Sequence, residues 1–250
     1  MEEKGETRRY EHRGDNLSRL INLTDGICAT ALTLLVLTLD IPELKGALSE
    51  PTLWQGILDV YPQLLSNFLT FLVVGSYWLA HHWAFEYIIR YDRRLLWFNL
   101  MFLLCVGLLP FSTDLLGEHA TSRVVWSVYA VHMVITGLTF TGLWGYVASS
   151  DMLDSRIHAR QVRYMILRSL VVPCVFALSI GIATVSANVA YFSPLLIPVA
   201  HRVIRRAYFP PEPERKAAAQ RPGRATCIWQ VLGFLPLLAF FAWTLYVILF

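Results

Sequence analysis

Runs of about twenty apolar residues recur along this chain, and a helix of that length, rising 1.5 Å per residue, is what crosses ~30 Å of hydrocarbon. They occupy 17–41, 62–89, 95–116, 124–148 and 166–187. A soluble domain normally carries about 25% charged residues, whereas only 16% of this chain is charged and 56% is hydrophobic. With no water in the bilayer core, each segment must satisfy its own backbone amides, so the runs are expected as helices. The fold class expected is an all-α integral membrane protein.

A sixth segment, 188–208, is read as a further crossing, although Pro194 and Pro198 interrupt it and His201, Arg202, Arg205 and Arg206 crowd its end. A seventh apolar run, 228–250, follows a stretch with Pro210, Pro211, Pro213, Arg215, Lys216, Arg221, Pro222 and Arg224, the composition of a solvated tether. The organisation expected is a cytoplasmic N-terminal segment 1–16, a six-helix domain 17–208, a basic Pro-rich linker 209–227 and an additional apolar C-terminal helix 228–250. No small-residue cleavage site follows the first run, so the first helix is expected to insert and stay.

Basic residues in short loops mark the cytoplasmic side. Arg8, Arg9 and Arg13 precede the first run; Arg90, Arg93 and Arg94 separate the second and third; Arg156, Arg160 and Arg163 separate the fourth and fifth. The alternate loops carry Asp40, Glu43, Glu50, Asp59 and Glu118 against Lys45 and Arg123. This pattern predicts a multi-pass protein of the cell membrane with a cytoplasmic amino terminus. The basic residues after 201 fall on that side again only if the sixth segment crosses. Clusters that alternate with spans are orientation signals, in contact with membrane lipids, and do not describe a nucleic-acid surface. Cys28, Cys105, Cys174 and Cys227 have neither disulfide-framework nor zinc spacing.

Ionisable groups near the centre of a membrane helix cost about 2.5–3.5 kcal/mol, so those that occur need partners or water. Asp25 lies roughly two turns inside the first run, Trp78, His81 and His82 reach a similar depth from the end of the second, and Asn99 lies about one turn into the third. Two readings stand at this point. Thr24, Asp25, Trp78, Asn99 and either His81 or His82 form a buried polar knot, or each is solvated separately by water entering from the cytoplasmic side. Arg19 is about 240° around the helix from Asp25 and does not stack on it. Away from Asp25, Thr30, Leu34, Leu37 and Ile41 fall within about 60° of one another, with Thr33 at one margin and Gly26 in register. Such a stripe faces lipid or packs on a neighbour; in a symmetric assembly it surrounds a path where aliphatic rings exclude water and hydroxyls ligand ions.

The stretch Arg19-Leu20-Ile21-Asn22-Leu23-Thr24-Asp25, followed by Gly26 and the aliphatic run 31–37, is similar to the first-helix signature of the transmembrane protein 175 family of potassium channels: Arg, three residues, Phe, Ser, Asp. Tyr77-Trp78-Leu79-Ala80-His81-His82, Asn99, Leu109-Pro110-Phe111, and Arg168-Ser169-Leu170 with Pro173 resemble that family in order and spacing, over about 17–206. The resemblance implies a six-helix repeat of the prokaryotic single-repeat kind, assembling as a homotetramer around a pore lined by helix 1. It assigns Arg19, Leu23, Thr24 and Asp25 to the structural signature, Trp78, His82 and Asn99 to its polar partners, and Thr30, Thr33, Leu34 and Leu37 to the pore. Neither the family nor this chain has a Thr-Val-Gly-Tyr-Gly filter loop, so potassium selection would fall to helix 1, with K+ held transiently near Thr30 and Thr33. Leu23 and Thr24 replace Phe and Ser, and Thr30 stands where the family carries a bulky aliphatic constriction, which moves the expected gate to Leu34 or Leu37. The tail from Pro210 has no counterpart in the family core.

Other classes fit less well. Adjacent His81 and His82 point about 100° apart, unlike the i, i+4 pair of a zinc helix. A retinal protein needs a lysine inside a helix, and Lys4, Lys45 and Lys216 all lie outside the runs. A proton-coupled transporter using Asp25 and the helix 2 histidines is the main alternative, but no internal repeat supports it. No catalysed reaction and no cofactor other than the permeant ion are expected.

Overall fold

The computed structural model describes residues 3–39, 49–150 and 152–209, with side chains from residue 17 onward except 187 and 188. Met1–Tyr208 fall in one compact unit. The elements are α1 (Glu3–Leu37), α2 (Glu50–Phe85), α3 (Arg93–Glu118), α4 (Arg123–Ser149), α5 (Ala159–Val185), α6 (Ala187–Tyr191), a 3-10 turn (Ser193–Leu195) and α7 (Leu196–Tyr208). Among the described residues five helices are long and apolar enough to cross a membrane, the first counted from Leu17. The linker and last apolar run, 209–227 and 228–250, lie outside the described residues except for Phe209.

Capping sets boundaries that hydropathy alone misplaces. The second helix begins at Glu50 instead of 62 because Ser49 caps it, accepting from the Thr52 amide at 3.4 Å, with a proline in the first turn where no N–H is needed. The fifth begins at Ala159 instead of 166, with the Gln161 side chain accepting from the His158 amide at 3.0 Å.

The segment 188–208, read as a sixth crossing interrupted by Pro194 and Pro198, is broken into short pieces. Ser186 caps α6, Pro194 lies in the first positions of the 3-10 turn, and α7 runs for 13 residues. That length spans only about 20 Å. Two prolines four residues apart leave too few consecutive N–H donors for one regular helix there.

In lipid, helices associate through close packing and interhelical hydrogen bonds. Trp126, Trp144, Tyr129, Phe102, Phe140 and Phe176 are fully buried, most of them where α4 meets α5 and α3. Gly137 makes the tightest approach: a Cβ there would stand 2.5 Å from Pro173 Cδ and 2.7 Å from the Tyr77 hydroxyl. Polar ties reinforce the packing. Thr70 is hydrogen-bonded to Thr113 at 2.9 Å and to Tyr129 at 2.8 Å, and Trp126 Nε1 donates to Ser179 Oγ at 3.2 Å. His132 of α4 is hydrogen-bonded to Ser112 Oγ at 2.8 Å and to the Cys105 carbonyl at 3.0 Å, and so ties α4 to α3.

At the basic end, the α2–α3 and α4–α5 loops are latched together. The Ile89 amide donates to the Met152 carbonyl and the Asp154 amide to the Tyr87 carbonyl, each at 2.9 Å, around an antiparallel bridge of Ile88 and Leu153. Asp92 caps α3 by accepting from the Leu95 amide at 2.8 Å and also accepts from the Tyr146 hydroxyl. The Tyr146 bond above all, then the Leu95 amide, holds the Asp92 carboxyl below the ordinary carboxylate range.

Candidate functional site

The first membrane helix has two sides. Leu20, Thr24, Cys28, Ala31 and Leu35, spaced three and four apart, are buried against the bundle. Near its basic end this side carries a chain of hydrogen bonds into α2 and α3. His81 Nε2 lies 3.0 Å from Asn99 Oδ1, Asn99 Nδ2 donates to Thr24 Oγ1 at 3.0 Å, and Thr24 Oγ1 donates to the Leu20 carbonyl at 3.1 Å. Because Asn99 Oδ1 can only accept, the proton of this bond sits on His81 Nε2. Beside it, Trp78 Nε1 donates to Asp25 Oδ1 at 2.8 Å. His81, Thr24 and Asn99 are fully buried, and the His81 ring stacks on Phe85 with 3.8 Å between centroids.

Of the two adjacent histidines, only His81 joins this chain. His82, assigned by resemblance as a polar partner, is exposed, stacks on Trp78 at 5.7 Å and pairs with Glu86 at 3.9 Å. The 100° turn per residue sends the second ring away from α1. Arg19 and Leu23 are likewise exposed and lie outside the chain of hydrogen bonds, because the buried stripe follows Leu20 and Thr24.

The other side of α1 is uncovered. Leu34 is 40% and Leu37 77% exposed, Gly26, Thr30 and Thr33 are exposed too, and only 28% of the helix's membrane window is buried, against 50% for α2. Thr30 Oγ1 donates to the Gly26 carbonyl and Thr33 Oγ1 to the Thr30 carbonyl, both at 2.8 Å. Each hydroxyl has one proton. With that proton engaged by the helix backbone, the surface is offered oxygen lone pairs, which suit a cation. A hollow of about 410 Å³ between α1 and α3, lined by Asn22, Gly26, Thr30, Leu34 and Gly107 among others, lies on the same side. Ile41, and the acidic Asp40 and Glu43 expected beyond it, lie outside the described residues.

One tie escaped the reading of the sequence. Gln63 Nε2 donates to the Thr38 carbonyl at 2.8 Å and to Asp114 Oδ1 at 3.3 Å, joining the far end of α1 to α2 and α3. The signal was present: Gln63 and Asp114 are polar residues inside apolar runs. Among the described residues no three His, Cys, Asp or Glu side chains converge as for a metal ion.

Residues 19–110 match the family described as the endosomal/lysosomal potassium channel TMEM175. The chain is 32% identical over 209 residues to a potassium channel of Streptomyces collinus, covering 80% of this chain and 97% of that one. It is 33% identical over 138 residues to a potassium channel of Chamaesiphon minutus, covering 54% and 68% of the two chains. In fold it is similar to the crystal structure of a lysosomal potassium-selective channel TMEM175 homologue from Chamaesiphon minutus, with a TM-score of 0.66 at 24% identity over 76% of this chain and 98% of the other.

Proposed function

The chain belongs to the transmembrane protein 175 family, as a member of prokaryotic type, and from that premise we propose that it is a passive, potassium-preferring cation channel whose pore runs between the α1 helices of identical subunits. The observation that carries this reading is the uncovered side of α1, where two threonine hydroxyls with internally engaged protons sit beside exposed Leu34 and Leu37. A peripheral helix needs no hydroxyls toward lipid, whereas rings of oxygen acceptors followed by rings of leucine make a site of partial ion dehydration and a dewetting constriction. Four subunits, as the family resemblance implies, would close the ring. Closed rotational symmetry brings the same residue of every copy to one level, so a single exposed stripe suffices.

Ions collect near Asp40 and Glu43, are admitted or blocked at the Leu37 and Leu34 levels, and meet the oxygen acceptors that replace part of their hydration at Thr33 and Thr30. The activity is conduction, without catalysis. The broken segment 187–208 serves as the sixth crossing: α6, the turn and α7 together are long enough to return the chain to the cytoplasmic side, where the amino terminus, the basic loops and the linker 209–227 lie. The run 228–250 adds a further helix outside the six-helix domain. The membrane is the cell membrane.

The test is a reversal-potential measurement on the protein in liposomes with mixed potassium and sodium, repeated for Leu34→Ala and Leu37→Ala. The expected result is a potassium-shifted reversal with conductance raised in at least one variant. Unchanged conductance in both removes the constriction from this stripe, and obligatory proton movement with each ion replaces the channel by a proton-coupled transporter using Asp25.

A further inference from the structure

A second cavity, of about 470 Å³, opens at the basic end between α2, α5 and α7, and no residue of α1 lines it. Its volume is that of small-molecule sites, about 300–1,000 Å³. Buried Phe140 and Trp144 of α4 form part of its wall, and the cations are Arg168 from α5 and Arg205 from α7. The Arg168 guanidinium lies 5.6 Å from the centroid of the Trp83 ring. A guanidinium held over an aromatic face by cation–π attraction spends no N–H group on an acceptor there, so its donors can meet two oxygens of one anion. His201 Nε2 reaches the Arg168 carbonyl at 3.3 Å, tying α7 to α5 and holding Arg205 against the cleft. Among the described residues neither Arg168 nor Arg205 forms a salt bridge, and Glu86, the one acid lining the cavity, pairs with His82 on its own helix at 3.9 Å.

The cleft therefore combines a surplus of positive charge with apolar and aromatic walls. Beside it, Leu79 of α2 is 42% exposed, and Val199 and Val203 of α7 are 58% and 62% exposed, so uncovered apolar helix surface continues away from the cations. A free anion would leave those walls unfilled. A zwitterionic choline headgroup would bring a quaternary ammonium beside the two guanidinium cations, Arg168 and Arg205, where like charges repel. We propose that the cleft binds the headgroup phosphate of an acidic glycerophospholipid, with Arg168 and Arg205 paired to its oxygens and the acyl chains lying along α2 and α7. This goes beyond the channel reading and does not depend on it.

The test uses the full chain, delipidated in detergent, melted with phosphatidylglycerol, phosphatidylcholine or inorganic phosphate. Phosphatidylglycerol is expected to raise the melting temperature saturably, and the other two are not. The Arg168→Gln/Arg205→Gln double variant should raise the half-saturating lipid concentration about tenfold or more, the loss expected for a pair of charge-assisted hydrogen bonds. Arg205→Gln alone, on an exposed face of α7, keeps the unliganded melting temperature and shows a smaller shift of the same sign. The Arg202→Gln/Arg206→Gln variant removes equal charge outside the cleft and should bind as the wild type does. Equal stabilisation by phosphatidylcholine or by inorganic phosphate overturns the proposal, as does a double variant that matches the wild type or the Arg202/Arg206 control.

Discussion

Asn99 serves two helices with one side chain: its oxygen faces His81 on α2 and its amide nitrogen faces Thr24 on α1. Truncating it leaves a buried imidazole N–H without its acceptor, an omission that costs about 1–3 kcal/mol. Asn99→Ala is therefore expected to lower the melting temperature in detergent by several degrees while His82→Ala leaves it unchanged, since His82 is exposed; equal losses in both would remove the distinction between the two rings. The depth of these groups was legible because residue count fixes height along a helix. Which of the two rings turns inward was not, because that depends on the rotation of α2 against α1 and α3. Asp92 makes a separate prediction at the basic end. Its carboxyl is held below the unfolded value of 3.8 by the Tyr146 hydroxyl first and the Leu95 amide after it. A group whose folded pKa is depressed contributes stability that is full well above the unfolded value and is lost as pH falls from there through the folded one. Melting temperature should thus fall as the pH is taken below 4 in the wild type and fall less steeply in Asp92→Asn, which keeps a cap acceptor but does not titrate.

At the level of elements, the junction of α2, α4 and α5 depends on a residue with no side chain. A methyl group on Gly137 would lie 2.5 Å from Pro173 Cδ, and ring carbons of a proline inside a helix have little freedom to retreat. Gly137→Ala is expected to destabilise by about 1–3 kcal/mol through overpacking, whereas at Gly145, with nothing within 4 Å of the added carbon, the same change should be neutral or stabilise by up to about 1 kcal/mol through helix propensity. Thermal unfolding of the two variants side by side checks the contrast, and similar shifts would deny the close approach. The five long helices were legible because uninterrupted hydrophobicity and the need to satisfy backbone amides in lipid act in the same direction. The start of α2 was not, because the stretch before 62 mixes Asp59, Gly56 and Gln55 with apolar residues, and it is helical through the Ser49 cap and continuation of a helix already formed. In the sixth segment the interruption was legible in Pro194 and Pro198, but the division into α6, a 3-10 turn and α7 was not, because it depends on the Ser186 cap.

The subunit as a whole buries its first helix least, although that helix carries the residues most like the family signature. Five membrane helices packed for stability alone would bury α1 about as well as its neighbours. A helix held on one side by Trp78, Asn99 and Gln63 and left open on the other is fixed in rotation, which the proposed pore requires if its stripe is to keep one register from copy to copy. The stripe itself was legible from helical spacing. The engagement of the Thr30 and Thr33 protons was not, because it follows from side-chain rotamers that spacing does not specify. On the proposed channel reading Thr30 is the informative position, since its oxygen lies in line with exposed Leu34 and Leu37. Thr30→Ile removes the acceptor and restores a bulky aliphatic ring, so potassium flux into liposomes is expected to fall about tenfold or more, as a dewetted ring raises the barrier to ion entry by at least ~1.4 kcal/mol. Because Thr30 is exposed in the subunit, the same change should leave its melting temperature within about a degree of the wild type, like other substitutions away from the packed core. A variant that conducts normally, or that loses flux only in proportion to lost folded protein, would make the stripe a packing surface and move the ion path away from α1.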